Sequence, residues 1–131
     1  MQSGEHPRAT ESKFRILYVG NDMKFMAAFR EAVSDRVYHL VAGSNHQDII
    51  LFLKSDIHYD LTLIDHDWRG NEVLELARLA RSKRHRKRMP IVLLSTVSLD
   101  DETKTLARKE KVECALKTAD LSELVGRVIG T

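Results

Sequence analysis

Leu61-Thr62-Leu63-Ile64-Asp65 decides how this chain is read: a short, almost continuously apolar run that ends on a carboxylate. A strand with one wet face alternates apolar and polar side chains, whereas a run of this kind belongs to a strand covered on both faces. Comparable runs flank it. Ile16-Leu17-Tyr18-Val19 and Tyr38 to Ala42 come before it; Ile91-Val92-Leu93-Leu94, opened by Pro90, and Val112 to Leu116 come after.

The segments between these runs change period. Phe25, Ala28, Phe29, Ala32 and Val33 fall on one helical face. Ile49, Ile50 and Leu53 mark a second, short helix, and Val73, Leu76, Ala77 and Ala80 a third. Ser98 to Lys111 reads as a polar helix anchored by Thr103, Leu106 and Ala107, and Leu121, Leu124, Val125, Val128 and Ile129 as a strongly amphipathic last one. Gly20-Asn21-Asp22 and Gly43-Ser44-Asn45 supply turn and capping chemistry. His66 to Gly70 reads as a polar loop interrupted by Trp68. Five strand–helix units in alternation predict an α/β domain: a parallel sheet with helices on both faces. Residues 14–131 are assigned to this domain and residues 1–13, polar and of mixed charge, to a flexible leader.

Composition narrows the function classes. The chain has 131 residues, one domain's worth, and 43% of them are hydrophobic, as in ordinary globular proteins. No apolar run approaches the roughly 20 residues of a spanning helix, so no membrane span is expected. The single cysteine, Cys114, excludes an internal disulfide and fits a reducing, cytoplasmic setting. Six positive charges, Arg81, Lys83, Arg84, Arg86, Lys87 and Arg88, lie within eight residues, and without them the net charge of +2 turns negative. This basic run, Arg84, Arg86, Lys87 and Arg88 above all, is a candidate docking patch for an acidic partner. No aromatic residue interleaves it, which argues against direct nucleic-acid binding by stacking.

Ligand sites in open parallel sheets lie beyond the carboxyl ends of the strands. Those ends carry Gly20, Asn21 and Asp22 after the first strand, Asp65 and Asp67 after the third, Ser95 and Thr96 after the fourth, and Lys117 and Thr118 after the fifth. In order, spacing and residue type, the segment from Arg15 to Ile129 resembles the receiver domain of two-component response regulators, the CheY-like family. The resemblance implies a flavodoxin-like sheet of strand order 2-1-3-4-5. It implies Asp65 as phosphoacceptor, Ser95 as hydrogen-bond donor to the phosphoryl group and Lys117 as its counter-charge. It also implies Mg2+, for which Asp65, Asp67, Asn21 and Asp22 are the available oxygen donors. Ser95 and Cys114 stand at the family's switch positions. A histidine kinase or phosphotransfer protein is the implied partner, and the fourth-helix/fifth-strand face an implied homodimer surface, here lined by Glu102, Lys104, Arg108 and Lys109.

The sequence departs from the family pattern in specific places. The acidic pair falls on Gly20 and Asn21, neither of which is acidic. Thr96 stands where a small Ala or Gly is usual, Thr118 where proline follows the lysine, and Cys114 where an aromatic residue commonly sits. Two other functions therefore stand beside the phosphoaccepting receiver. One is a pseudo-receiver, a phosphorylation-independent interaction module. The other, more remote, is a haloacid-dehalogenase-like phosphatase, because Asp65-His66-Asp67 also resembles that family's Asp-x-Asp motif. The latter needs a further acidic pair after the lysine, where only Asp120 and Glu123 remain. A non-enzymatic role is the expectation.

Overall fold

The computed structural model describes residues 14–32, 37–118 and Glu123. The leader and the amphipathic segment from Leu121 to Ile129 thus lie outside the described residues, Glu123 apart. Five strands, β1 (Phe14–Val19), β2 (Val37–Gly43), β3 (Leu61–Asp65), β4 (Ile91–Ser95) and β5 (Glu113–Leu116), form one sheet of order β2-β1-β3-β4-β5. Every neighbouring pair is parallel. Four helices connect them: α1 (Met23–Ala32), α2 (His46–Lys54), α3 (Val73–Ala80) and α4 (Asp101–Lys109). The strand order and the two-sided cover agree with the sequence reading.

The two-residue period of the strands divides the core in two. Ile16, Tyr18, Leu61, Leu63, Val92 and Leu94 pack against Phe25, Met26 and Phe29 of α1. Their neighbours Leu17, Val19, Ile64, Ile91 and Leu93 pack with Ile49 and Leu53 of α2 and Val73, Leu76, Ala77 and Ala80 of α3 on the opposite face. All five residues of β3 and all five of β4 are buried. The near-continuous apolar runs are the sequence image of that double burial.

Helix starts follow local chemistry. The Asn45 side chain accepts from the Gln47 and Asp48 amides at the head of α2, and Asp100 accepts from Thr103 at the head of α4. The polar stretch after β3 is not a loop, as the sequence suggested, but a single helical turn, His66–Arg69, followed by a 3-10 turn, Gly70–Glu72. Asp65 nucleates it by accepting the Asp67 amide at 2.9 Å.

The basic run needs a larger correction. Arg86, counted above among the docking charges, is fully buried. Its guanidinium donates to the carbonyls of Leu53 at 2.6 Å, Phe52 at 3.3 Å, Ser55 at 2.8 Å and Ile57 at 2.7 Å. Phe52 and Leu53 lie in the last turn of α2, where the run of helical amide partners ends; Phe52 also accepts the Ser55 hydroxyl at 2.6 Å, and Arg86 completes the cap where the helix dipole favours a cation. Arg81 is likewise occupied, donating to the carbonyls of Met89 at 3.0 Å, Lys111 at 2.8 Å and Glu110. Lys83 lies 3.5 Å from Asp56. The exposed remainder is Arg84, Lys87 and Arg88.

Candidate functional site

The carboxyl edge of the sheet gathers residues from four strand ends, those of β1, β3, β4 and β5, and from the helical turn. Asp65 closes β3 between β1 and β4, which makes it the most central of them, and it is 1% exposed. Lys117 follows β5 and is held there by its own amide, which donates to the Ser95 carbonyl at 2.8 Å. Its ammonium lies 2.7 Å from Asp65 Oδ2, 2.9 Å from Asp22 Oδ2 and 3.1 Å from Asp67 Oδ2. One cation thus ties together carboxylates that follow β1 and β3. Burial alone would lower the pKa of Lys117, but hydrogen bonds to Asp65, Asp22 and Asp67 outweigh it and hold the ammonium well above the usual lysine range.

Each carboxylate has a second task. Asp22 caps α1 through the Phe25 amide at 3.0 Å, and Lys117, then that amide, hold its pKa down. Asp67 accepts from the Thr96 amide at 3.0 Å and the Thr96 hydroxyl at 2.5 Å. Burial opposes its ionisation, yet Thr96 and Lys117 together prevail and lower its pKa. Asp65 Oδ2 accepts a further hydrogen bond, at 2.7 Å, from the Tyr18 hydroxyl.

Tyr18 took no part in the sequence account of the site, and Thr96 entered it only as a strand-end residue and a departure from the family pattern, with no role assigned. Tyr18 reads as an apolar strand residue, and only its position one strand over, on the same face as Asp65, brings the phenol to the carboxylate. Thr96 is one residue beyond Ser95, and the pleat explains the exchange. Ser95 follows Ile91 and Leu93 onto the α2–α3 face, whereas Asp65 follows Leu61 and Leu63 onto the α1 face. The Ser95 hydroxyl donates to the Val97 carbonyl at 2.7 Å, and the hydroxyl that meets the carboxylate cluster is that of Thr96. Ser95 and Cys114 instead line one cleft with Ser98, Leu99 and Lys104, at the edge shared by β4, β5 and the approach to α4. Burial pushes the Cys114 thiol up, which keeps it protonated. Asn21 is exposed.

The donor set does not fit a magnesium ion. Asp22, Asp65 and Asp67 all point at one ammonium, Gly20 brings no oxygen from its side chain, and the Tyr18 hydroxyl stands against Asp65. Among the described residues no group of three or more His, Cys, Asp or Glu side chains is arranged to hold a metal.

No family model and no curated protein matches the sequence. Solved structures do match. The signal receiver domain of a Clostridium thermocellum two-component histidine kinase superposes with a TM-score of 0.76 at 17% identity, over 90% of this chain and 98% of that one. The chemotaxis protein CheY4 of Vibrio cholerae gives 0.74 at 16% identity, over 88% and 98%. The phosphorylated cyanobacterial phytochrome response regulator RcpA gives 0.67 at 25% identity, over 90% of both chains. With the strand order β2-β1-β3-β4-β5 and a buried aspartate ending the central strand, these likenesses establish that the chain has the fold of the CheY-like response-regulator receiver domains.

Proposed function

We propose that this chain is a receiver module of two-component signalling, located in the cytoplasm, whose Asp65 accepts a phosphoryl group from a histidine kinase or phosphotransfer protein. The observation that carries the reading is the pairing of a buried carboxylate at the end of the central strand with a lysine ammonium 2.7 Å away. In the reaction an Asp65 oxygen attacks phosphorus in line, the P–N bond of the donor phosphohistidine breaks, and its electron pair stays on the imidazole, which takes up a proton. The product is an acyl phosphate. Lys117 balances the negative charge that the phosphoryl oxygens bring to the site, and Thr96 offers an amide and a hydroxyl beside it. No metal step enters, because the donor set does not fit one.

A second reading, the phosphorylation-independent module, is favoured by one observation. Asp65 is nearly inaccessible, with Oδ1 engaged by the Asp67 amide and Oδ2 by Tyr18 and Lys117. Intact-mass analysis after incubation with acetyl phosphate, with and without Mg2+, separates the two. One phosphoryl adduct that disappears in Asp65→Ala supports the receiver. No adduct in either buffer supports the binding module, whose contacts would then fall to the exposed α4 charges Glu102, Lys104, Arg108 and Lys109, or to Arg84, Lys87 and Arg88. A homodimer through α4 and β5 would be weakened by salt, because the outward charges of α4 are screened within about 10 Å at 0.1 M.

A further inference from the structure

Three carboxylates share one ammonium at the sheet edge, so the cluster holds more negative than positive charge at neutral pH. A divalent cation is one remedy for such an excess, and a protein hydroxyl that donates into the cluster is another. Tyr18 supplies the second. Its phenol donates to Asp65 Oδ2 at 2.7 Å and accepts the Asp22 amide at 3.1 Å, so it is fixed from both sides. The ring is 1% exposed and packs on Phe25 with centroids 5.7 Å apart. Burial, and then the bond to Asp65, raise the phenol's pKa, so it remains a donor throughout the neutral range.

Gly20 explains how the phenol fits. A Cβ at position 20 would stand 2.6 Å from the Tyr18 hydroxyl and 2.6 Å from Asp65 Cβ, closer than real Cβ atoms approach. Any side chain there, a carboxylate included, would compete with the phenol for the same space. The missing side chain at Gly20 and the inward tyrosine are therefore two halves of one arrangement.

We propose that the Tyr18 hydroxyl, seated in the space Gly20 leaves open, takes the place of a divalent cation beside Asp65, so that the centre is held together without metal. Tyr18 is on this view a positioning residue: it fixes Asp65 Oδ2 and excludes an ion from it. The inference is independent of phosphoryl transfer, and a chain that never accepts a phosphoryl group would leave it intact.

The test is a titration with Mn2+ alone, followed by the paramagnetic resonance signal of the free ion, on the full chain and on Tyr18→Phe. Phenylalanine keeps the ring and removes only the hydroxyl, freeing one lone pair of Asp65 and the space beside it. Tyr18→Phe is expected to bind Mn2+ at least about tenfold more tightly than the unmodified chain, the scale of one hydrogen bond to a charged group. Equal affinity, whether both bind or neither does, overturns the proposal. A second measurement needs no variant. The Tyr18 hydroxyl proton, buried and bonded to a carboxylate, is expected as an exchange-protected NMR resonance that stays sharp in Mn2+; broadening by ion entering beside Asp65 overturns the proposal as well.

Discussion

Arg86→Ala is the most exacting test of the fold. The guanidinium donates to four carbonyls, those of Phe52, Leu53, Ser55 and Ile57, and its Nε adds a second bond to Ile57 at 3.1 Å. It also lies 5.1 Å from the centroid of the buried Tyr59 ring. Truncation leaves the last turn of α2 and the chain after it with unsatisfied carbonyls, and opens a cavity where a large side chain stood. A hydrogen bond to a charged group contributes about 1.5–3 kcal/mol, and breaking a buried charged network costs about 3–5 kcal/mol. Because the bonds share one fork they do not add, so the expected loss is about 3–5 kcal/mol. That is a large part of the roughly 5–15 kcal/mol that holds a domain folded. Arg86→Lys keeps the charge but not the planar fork, and should lose an intermediate amount. Urea unfolding is the assay, followed by the single tryptophan, Trp68, which packs partly buried against the core. Arg84→Ala, two residues away and exposed, should change stability by no more than about 0.5 kcal/mol. A loss below about 1 kcal/mol for Arg86→Ala, or one equal to that of Arg84→Ala, would refute the reasoning and return Arg86 to the surface run.

Three further outcomes are expected. Gly20→Ala should destabilise the chain by about 1–3 kcal/mol through overpacking against Tyr18 and Asp65, and an unchanged urea midpoint would show that the edge is looser than described. At alkaline pH the native state keeps protons on Lys117 and Tyr18 that the unfolded chain releases near pH 10, because both folded pKa values are raised. Stability should therefore fall as pH rises past about 10, and Tyr18→Phe should lessen that slope by about 1.4 kcal/mol per pH unit; an unaltered slope in urea melts would exclude Tyr18 as a contributor. At acid pH the unmodified chain should lose stability as Asp22 and Asp67 protonate, since their folded pKa values are depressed. Lys117→Met should reverse the sign, gaining thermal stability from roughly pH 6 to pH 4 as protonation relieves three crowded carboxylates, and a melting point that falls in the variant as in the parent would count against the shared ammonium.

The one-dimensional pattern was enough for the architecture. Doubly buried strands must be apolar throughout, and helices must repeat near every three to four residues. Both constraints are local, so the alternation, the parallel sheet and the strand-end positions of Asp65 and Lys117 are legible in Ile16–Val19, Leu61–Asp65, Ile91–Leu94 and Val112 to Leu116. What the tertiary structure alone decided concerns side chains whose partners are distant in sequence. Arg86 and Arg84 are equal members of a charge run until α2 presents its last carbonyls to one and not the other. Ser95 and Thr96 differ by one step of the pleat, which sends one hydroxyl to the Val97 carbonyl and the other to Asp67. Tyr18 is another apolar strand residue until β3, placed beside β1 by the crossover from β2, sets Asp65 within 2.7 Å of its hydroxyl. A periodic pattern records which face a residue takes, but hydrogen bonds depend on contacts across strands and helix ends, and those exist only once the sheet has formed.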